Sequence, residues 1–201
     1  MSSNPHMTNT AQPALVDFVL VGAVRCGKTA LMQALLGDKG EVLKTQAAVF
    51  HDGHVIDTPG EFIGRRSYYG ALLSTIVDVS TIVYLQPANS VIFALPVGLL
   101  HVYPDKRVVG VISKIDLPDA DVAAVSRLLS DNAIPAPHFA TSVVTGSGVA
   151  ELRNYLISLQ GKPIDAAAPP SRSEKEHKHS DKDKKRSGNE KGVQHESTIS
   201  Q

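Results

Sequence analysis

The sequence predicts an α/β domain in which a mostly parallel, six-stranded sheet is flanked by helices. Three observations predict this fold. Short apolar runs alternate with helical patterns across residues 15–161. The stretch GAVRCGKT, residues 22–29, joins the first apolar run to the first helical pattern. Two later apolar runs end at Asp57 and near Ser113. In such sheets ligands bind at the carboxyl ends of the strands, so we expect the functional groups there.

Six short apolar runs predict the strands and four longer patterns predict the helices. The strands are expected near residues 17–21, 48–51, 54–57, 81–85, 108–113 and 137–141, and the helices near residues 28–36, 67–77, 120–130 and 149–159. In the last helix Val149, Leu152, Leu156 and Leu159 recur on one face at helical spacing. The connection formed by residues 86–104 is apolar but interrupted by three prolines, which favours short helical turns over one regular helix.

Composition divides the chain into three parts. Residues 1–14 are polar with scattered small side chains and are expected to form a flexible N-terminal arm. Residues 15–161 form the predicted domain. Residues 162–201 have almost no large apolar side chains, so they cannot bury enough surface to offset their chain entropy and are expected to be disordered. This charged tail is either a solubilising segment or a docking segment.

Charge and cysteine content exclude several classes of protein. The 20 Lys and Arg residues balance the 20 Asp and Glu residues, so no net field recruits nucleic acid or an anionic membrane. The single cysteine excludes an internal disulfide and fits a reducing cytosol. The first residues lack a secretory signal pattern, and the longest apolar run, residues 91–100, is too short to span a bilayer. We expect a cytoplasmic protein without nucleic-acid or membrane partners.

The motif Gly22-x4-Gly27-Lys28-Thr29 matches the spacing of a phosphate-binding loop in full. The two glycines let the backbone turn tightly and approach phosphate oxygens, while successive N–H groups and the helix N-terminus favour an anion. Lys28 would place its charge beside the β- and γ-phosphates, and the Thr29 hydroxyl would ligate Mg²⁺. The motif predicts a site for a nucleoside triphosphate with Mg²⁺, either ATP or GTP.

The interior of this loop is formed by Ala23, Val24, Arg25 and Cys26, which would contribute backbone donors to the phosphates. Their side chains would then point away from the ligand or cover it. Arg25 is either a built-in cation near the phosphates or a solvated loop residue. Cys26 is either a thiol with a depressed pKa, beside Lys28 and a helix start, or a plain small residue.

A second and a third segment are candidates for the metal and the γ-phosphate. The stretch VIDTPGEF, residues 55–62, ends a strand at Asp57, whose carboxylate can hold Mg²⁺ through water. Gly60 can then offer its N–H to the γ-phosphate. Thr45, in KTQAAVF, is either the first-switch threonine that meets Mg²⁺ and the γ-phosphate or an ordinary loop residue.

Glu61 occupies the position after Gly60 where switch-type GTPases commonly place a glutamine that orients water. A carboxylate cannot donate the same hydrogen bond, although it can act as a base, so hydrolysis by the ordinary route is in doubt. Arg65 and Arg66 follow and are either cations near the phosphates or solvated surface residues.

The stretch VISKID, residues 111–116, is a variant of the N/T-K-x-D motif that reads the base. Asp116 can accept hydrogen bonds from the ring N–H and the exocyclic amine of guanine, a donor pattern that adenine lacks. Lys114 would lie along the base plane, and Ser113 replaces the usual Asn or Thr, which relaxes base selectivity. Ser142 and Val143 align with the first two positions of the S-A-K segment that backs the base in such domains, whereas Val144 replaces its lysine.

These segments together resemble the ethanolamine-utilisation protein P / propanediol-utilisation protein V family across about residues 16–159. The runs that carry the resemblance are GAVRCGKTALMQALLG, KTQA, IDTPGE, LPVGLL and VISKIDLPDADVAA. The resemblance implies a Ras-like P-loop NTPase domain in bacterial ethanolamine or propanediol utilisation, associated with microcompartments and their pathway proteins. It also implies an ATP-dependent acetate kinase activity, which sits uneasily with a guanine-reading Asp116.

Three functions are consistent with these residues. The first is an enzyme that transfers the γ-phosphoryl group to water or to acetate, with Lys28, Thr45, Gly60 and Glu61 as candidate catalytic residues. The metal ligands would be Thr29, Thr45 and Asp57. The second is a GTP-dependent switch whose partner surface matters more than its turnover. The third is a microcompartment-associated scaffold that binds nucleotide for stability alone.

Overall fold

A computed structural model of the chain describes residues 13–37 and 48–163. The six strands are β1 (Phe18–Gly22), β2 (Val49–His51), β3 (Val55–Asp57), β4 (Thr81–Pro87), β5 (Arg107–Ser113) and β6 (His138–Ala140). The five α-helices are α1 (Lys28–Leu36), α2 (Glu61–Gly64), α3 (Tyr69–Val77), α4 (Val122–Asp131) and α5 (Val149–Leu159). Two 3-10 helices lie at Arg66–Tyr68 and Leu99–His101.

The strands form one sheet in the order β2-β3-β1-β4-β5-β6. Strand β2 runs antiparallel to β3, and every other neighbouring pair is parallel. All five residues of β1 are buried, as expected for a central strand that is covered on both faces. The predicted mostly parallel six-stranded sheet flanked by helices is therefore confirmed.

Side chains alternate between two cores, one on each face of the sheet. In β4, Val83 and Leu85 face a core that includes α1 and α5, while Ile82 and Tyr84 face a core shared with α3, α4 and residues 86–104. Burying one such aliphatic side chain contributes about 1.5–3 kcal/mol. The two covered faces leave the strand ends open, and the carboxyl ends of β1, β3, β4 and β5 meet at one edge.

The strand ends differ from the sequence predictions by one or two residues, and the helices differ in three places. Helix α2 was not predicted, because four residues are too few to show a helical period. The helix predicted over residues 67–77 is a 3-10 turn followed by α3, which begins at Tyr69. Helix α4 begins two residues later than predicted, because the Asp121 carboxylate accepts a 2.8 Å hydrogen bond from the Ala124 N–H and caps the helix. The predicted helical turn within residues 86–104 is present at Leu99–His101.

Some predictions fall outside the described residues. These are the first twelve residues of the N-terminal arm, Thr45 with the KTQA stretch, and residues 164–201 of the tail. At the edges of the described ranges the backbone is tied to the domain: Arg153 donates to the Pro13 carbonyl oxygen, and Arg107 donates to those of Lys162 and Pro163. Within residues 13–37 and 48–163, no helix combines the length and the apolar character needed to cross a membrane.

Candidate functional site

The predicted phosphate loop lies between the carboxyl end of β1 and the start of α1. An added Cβ at Gly22 would lie 2.6 Å from the Cys26 Sγ and 2.8 Å from the Leu85 carbonyl oxygen, so only glycine fits. Gly27 has φ +100° and serves as the N-cap of α1. Arg25 also takes a left-handed conformation, with φ 64°, which costs an arginine about 1–2 kcal/mol. The loop therefore wraps around the helix N-terminus, where backbone N–H groups favour an anion.

The Lys28 ammonium group is held across this loop. Its Nζ donates to the Gly22 carbonyl oxygen at 2.8 Å and to the Ala23 carbonyl oxygen at 3.1 Å, and the residue is only 6% exposed. Lys28 opens α1, so its charge adds to the positive end of the helix dipole. This edge of the sheet is therefore strongly suited to a phosphate group.

Thr29 and Asp57 come together from α1 and β3. The Thr29 Oγ1 donates to the Asp57 Oδ2 at 2.8 Å, and Asp57 is 2% exposed. A hydroxyl and a carboxylate are oxygen ligands of the kind that Mg²⁺ prefers. Among the described residues no group of three or more His, Cys, Asp or Glu side chains forms a metal cage. The donor set thus fits an ion that takes its remaining ligands from water and phosphate, as Mg²⁺ does.

The loop after β3 is seated directly on the phosphate loop. An added Cβ at Gly60 would lie 2.5 Å from the Val24 Cα and 2.6 Å from the Val24 backbone nitrogen. The Thr58 hydroxyl donates to the Leu20 carbonyl oxygen at 2.6 Å and fixes the start of this loop against β1. Glu61 follows as the first residue of α2. The backbone of Gly60 and the interior of the phosphate loop therefore form one packed unit.

A cleft of about 240 Å³ opens beside the phosphate loop. It is lined by Gly27, by the predicted base-reading residues Ser113, Lys114 and Asp116, and by Val143. These residues come from different parts of the chain, so the predicted phosphate and base segments do share one cleft. Thr141, Leu117, Ala30, Leu31 and Val144 also line it and were not predicted.

Two of the predicted base residues have structural partners inside the protein. The Ser113 hydroxyl donates to the Cys26 carbonyl oxygen at 2.7 Å and ties β5 to the phosphate loop. Ser142 is fully buried, its Oγ accepts from the Thr145 N–H at 3.1 Å, and it is not among the residues that line the cleft. The serine hydroxyls therefore shape the walls, and the Asp116 carboxylate is exposed at the cleft.

The alternative of a depressed pKa for Cys26 is wrong. Burial raises the pKa of this thiol, and the opposing charge of Lys28 is too weak to reverse that effect. Cys26 is 0% exposed and packs in the core beneath the loop. It acts as a small buried residue.

The remaining cations of the phosphate edge lie at the surface. Arg25, Arg65 and Arg66 are exposed, and Val24 is 43% exposed beside Arg25. Their roles, and that of Thr45 outside the described residues, stay predictions.

Comparisons with known proteins identify the family of the chain. The sequence model of the PduV-EutP family, described as ethanolamine utilisation - propanediol utilisation, matches residues 16–158. The "Probable acetate kinase EutP" of Salmonella typhimurium is 43% identical over 73% of this chain and 92% of that protein. The "Propanediol utilization protein PduV" of Citrobacter freundii is 30% identical over 69% of this chain and 91% of that protein.

Among solved structures, a bacterial selenocysteine-specific elongation factor superposes with a TM-score of 0.55 at 18% identity, over 73% of this chain and 29% of that one. This likeness concerns the fold, which is that of P-loop GTPases, and P-loop proteins of this kind bind nucleotides, typically with Mg²⁺. The match to the family model and the 43% identity decide the family. The chain belongs to the PduV-EutP family of ethanolamine and propanediol utilisation.

Proposed function

We propose that this protein transfers the γ-phosphoryl group of a Mg²⁺-bound nucleoside triphosphate, within ethanolamine or propanediol utilisation. The observation that carries the proposal is the 2.8 Å contact between the Thr29 Oγ1 and the Asp57 Oδ2, next to the Lys28 ammonium group. These three side chains supply the positioning and the charge that phosphoryl transfer chiefly requires.

Each residue has a defined part in this reaction. Thr29 and Asp57 would hold Mg²⁺, which would supply charge neutralisation to the phosphate groups. Lys28 exchanges its bonds to the loop carbonyl groups for phosphate oxygens. The N–H groups from Ala23 to Thr29 bind the phosphate chain at the start of α1. Gly60 offers its N–H to the γ-phosphate from the loop that packs on Val24.

The acceptor is proposed to be acetate or water. Acetate is suggested by the printed name of the Salmonella relative, "Probable acetate kinase EutP". Glu61 supports a route other than ordinary hydrolysis, because its carboxylate cannot donate the hydrogen bond by which a glutamine orients water. Arg25, exposed within the phosphate loop, is a cation that can attract a carboxylate substrate to this edge.

The base is proposed to be guanine by preference. Asp116 presents a carboxylate to the cleft, and this group accepts from the two adjacent N–H donors of guanine. Adenine offers no such pair, so the carboxylate would lose water without gaining a partner. Asp116→Asn should therefore weaken GDP binding by about 10–100-fold, which corresponds to 1.4–2.8 kcal/mol, and should leave ADP binding nearly unchanged.

The test is steady-state consumption of GTP and of ATP, each with and without acetate. Thr29→Val should abolish turnover of either nucleotide, and Thr75→Val is the matched control, since the Thr75 hydroxyl only donates to a carbonyl oxygen of its own helix. Formation of acetyl phosphate identifies acetate as the acceptor. Phosphate release that is indifferent to acetate identifies water. Absence of turnover with both nucleotides overturns the proposal.

A second candidate function is a nucleotide-dependent switch, and the packing of Gly60 on Val24 favours it. A γ-phosphate that binds the Gly60 N–H would move this loop, and the close packing of Gly60 on the Val24 backbone would pass that movement to the phosphate loop. A switch predicts similar affinities for the di- and triphosphate, with a marked difference in hydrogen exchange around Gly60. Equal exchange in the two states would exclude the switch.

A further inference from the structure

Ser113 occupies the first position of the predicted base-reading motif, where the usual residue is Asn or Thr. It is the last residue of β5 and is 6% exposed, and its hydroxyl donates to the Cys26 carbonyl oxygen at 2.7 Å. A serine hydroxyl carries a single proton. That proton lies in a hydrogen bond within the protein, so the Ser113 side chain has no donor left for a ligand in the cleft.

The Ser113 hydroxyl cannot turn toward a ligand without a loss elsewhere. Cys26 is 0% exposed, so its carbonyl oxygen would lose this donor inside the protein. A buried acceptor without a donor costs at least as much as one neutral hydrogen bond to a ligand would gain. The backbone of Ser113 is fixed as well, because its carbonyl oxygen accepts from the Ala88 N–H at 2.7 Å. The bond from Ser113 to Cys26 is therefore expected to persist when a nucleotide binds.

Other polar groups around the cleft divide into engaged donors and an exposed acceptor. The Thr141 hydroxyl donates to the Ile112 carbonyl oxygen at 3.4 Å, and the Ile115 N–H donates to the Thr141 carbonyl oxygen at 3.3 Å. Lys114 also lines the cleft, but its flexible ammonium group is a point charge that does not select one ring atom. The Asp116 carboxylate is exposed at the cleft. A base therefore meets a fixed acceptor there, whereas the hydroxyl donors are already taken.

We propose that the cleft reads guanine through Asp116 alone and leaves ring atom N7 without a protein donor, a specificity that rests on the proposed function. Guanine has donors at N1 and the 2-amino group, whereas N7, on its five-membered ring, is an acceptor. Asp116 satisfies the two donors, but the hydroxyl that could satisfy N7 is held by Cys26. The substrates are then guanine nucleotides irrespective of the atom at ring position 7. Ser113 is a positioning residue that ties β5 to the phosphate loop.

Two base analogues report on these two edges separately. A guanine with carbon at position 7 lacks the N7 acceptor and keeps both donors. When no protein group donates to N7, removing this acceptor costs no hydrogen bond to the protein. Hypoxanthine keeps the N1 donor and lacks the 2-amino group. It loses one of two bonds to a carboxylate, and bonds to a charged group are the stronger kind.

The test is the affinity of the full-length protein for GDP, 7-deaza-GDP and inosine diphosphate, measured by isothermal titration calorimetry with Mg²⁺. 7-Deaza-GDP should bind as tightly as GDP to within about threefold, and inosine diphosphate at least about tenfold more weakly. Ser113→Ala should change the dissociation constants of GDP and 7-deaza-GDP by the same factor. Ser130→Ala removes an exposed hydroxyl of α4 and is the matched control, which should bind all three like the wild type.

Thermal melting checks the folding of each variant, and Ser113→Thr, which keeps a hydroxyl, is the second variant if the alanine variant does not fold. A wild type that binds 7-deaza-GDP more than about threefold more weakly than GDP overturns the inference. So does a Ser113→Ala protein with weakened affinity for GDP alone, because the hydroxyl would then read N7. The guanine preference itself fails by a different result, in which GDP does not bind or inosine diphosphate binds as tightly as GDP, and the inference then fails with it.

Discussion

Replacing Gly60 with alanine is expected to push the loop after β3 away from the phosphate loop. The new Cβ would lie 2.5 Å from the Val24 Cα and 2.6 Å from the Val24 nitrogen, and both are backbone atoms that no rotamer change can move. Carbon atoms in contact normally lie about 3.5–4.0 Å apart, so the loop must shift by about 1 Å. Overpacking of this kind costs about 1–3 kcal/mol.

Two readouts follow from this displacement. The melting temperature should fall by about 2–10 °C for a domain of this size. Turnover of nucleoside triphosphate should fall by about 100-fold, because a 1 Å misplacement of a group that contacts the γ-phosphate has an effect of that order. Affinity for the diphosphate should change little, since Gly60 is proposed to contact only the γ-phosphate.

The matched control is Gly64→Ala. Gly64 lies in α2, four residues further along, and an added Cβ there meets no atom within 4 Å. Alanine favours a helix over glycine by about 1 kcal/mol, so this variant should be as stable as the wild type or more so. If Gly60→Ala keeps the melting temperature and the turnover of the wild type, the close packing of Gly60 on Val24 does not exist in solution.

Three further predictions concern buried contacts. Ser113→Ala should lower the free energy of unfolding by about 1–3 kcal/mol, because the buried Cys26 carbonyl oxygen loses its donor. As a control, Ser130→Ala at an exposed position should change the free energy of unfolding by less than about 0.5 kcal/mol. Urea denaturation measures both values. Gly148→Ala would place a Cβ 2.0 Å from the Ala140 carbonyl oxygen of β6 and should strongly destabilise the fold. Gly146 has a similar φ, but a Cβ added there meets no atom within 4 Å, so Gly146→Ala should lower the melting temperature far less. Burial raises the pKa of the Cys26 thiol above 9.0, so at high pH the folded protein keeps a proton that the unfolded chain loses. The free energy of unfolding should therefore fall above about pH 9, by up to about 1.4 kcal/mol per pH unit. Urea denaturation of Cys26→Ala at the same pH values should show a shallower fall.

Helix boundaries were predictable where glycine sets them. Helix α1 lies over residues 28–36 as predicted, between Gly27 at φ +100° and Gly37 at φ +74°. Helix α5 begins as predicted after Gly148, which has φ +70°. A glycine beside a helical pattern is visible in the sequence, and it is the residue that most readily takes the left-handed conformation found at these helix ends. The 3-10 turn at Arg66–Tyr68 has no such signal, because the hydrogen bonds that distinguish it from an α-helix leave no separate pattern in three residues.

The composition of the site was predictable where a motif depends on backbone groups. The spacing of Gly22, Gly27 and Lys28 predicts the phosphate loop, and in the structure Gly27 of that loop and Asp116 line one cleft. The hydrogen bond from Ser113 to Cys26 joins residues 87 positions apart, and no local pattern announces it.

The sign of the Cys26 pKa shift was not predictable for a related reason. The neighbours in sequence, Lys28 and a helix start, both favour the thiolate. Burial beneath the loop depends on packing against other strands, and it outweighs them. Side-chain environment at this site is thus a tertiary property, whereas the path of the backbone is largely a local one.

The position of β1 at the centre of the sheet has a consequence for folding. Its two neighbours, β3 and β4, are parallel to it and distant in sequence, so both pairings require long loops to close before they gain stability. The cleft is lined by the loop after β1, by α1, by the end of β5 and by the loop after β6, so it forms only when these elements have come together. A ligand held there binds the native state alone and, at 100 times its dissociation constant, adds about 2.7 kcal/mol to its stability. Recovery of ligand affinity during refolding should therefore not precede the pairing of β6 with β5.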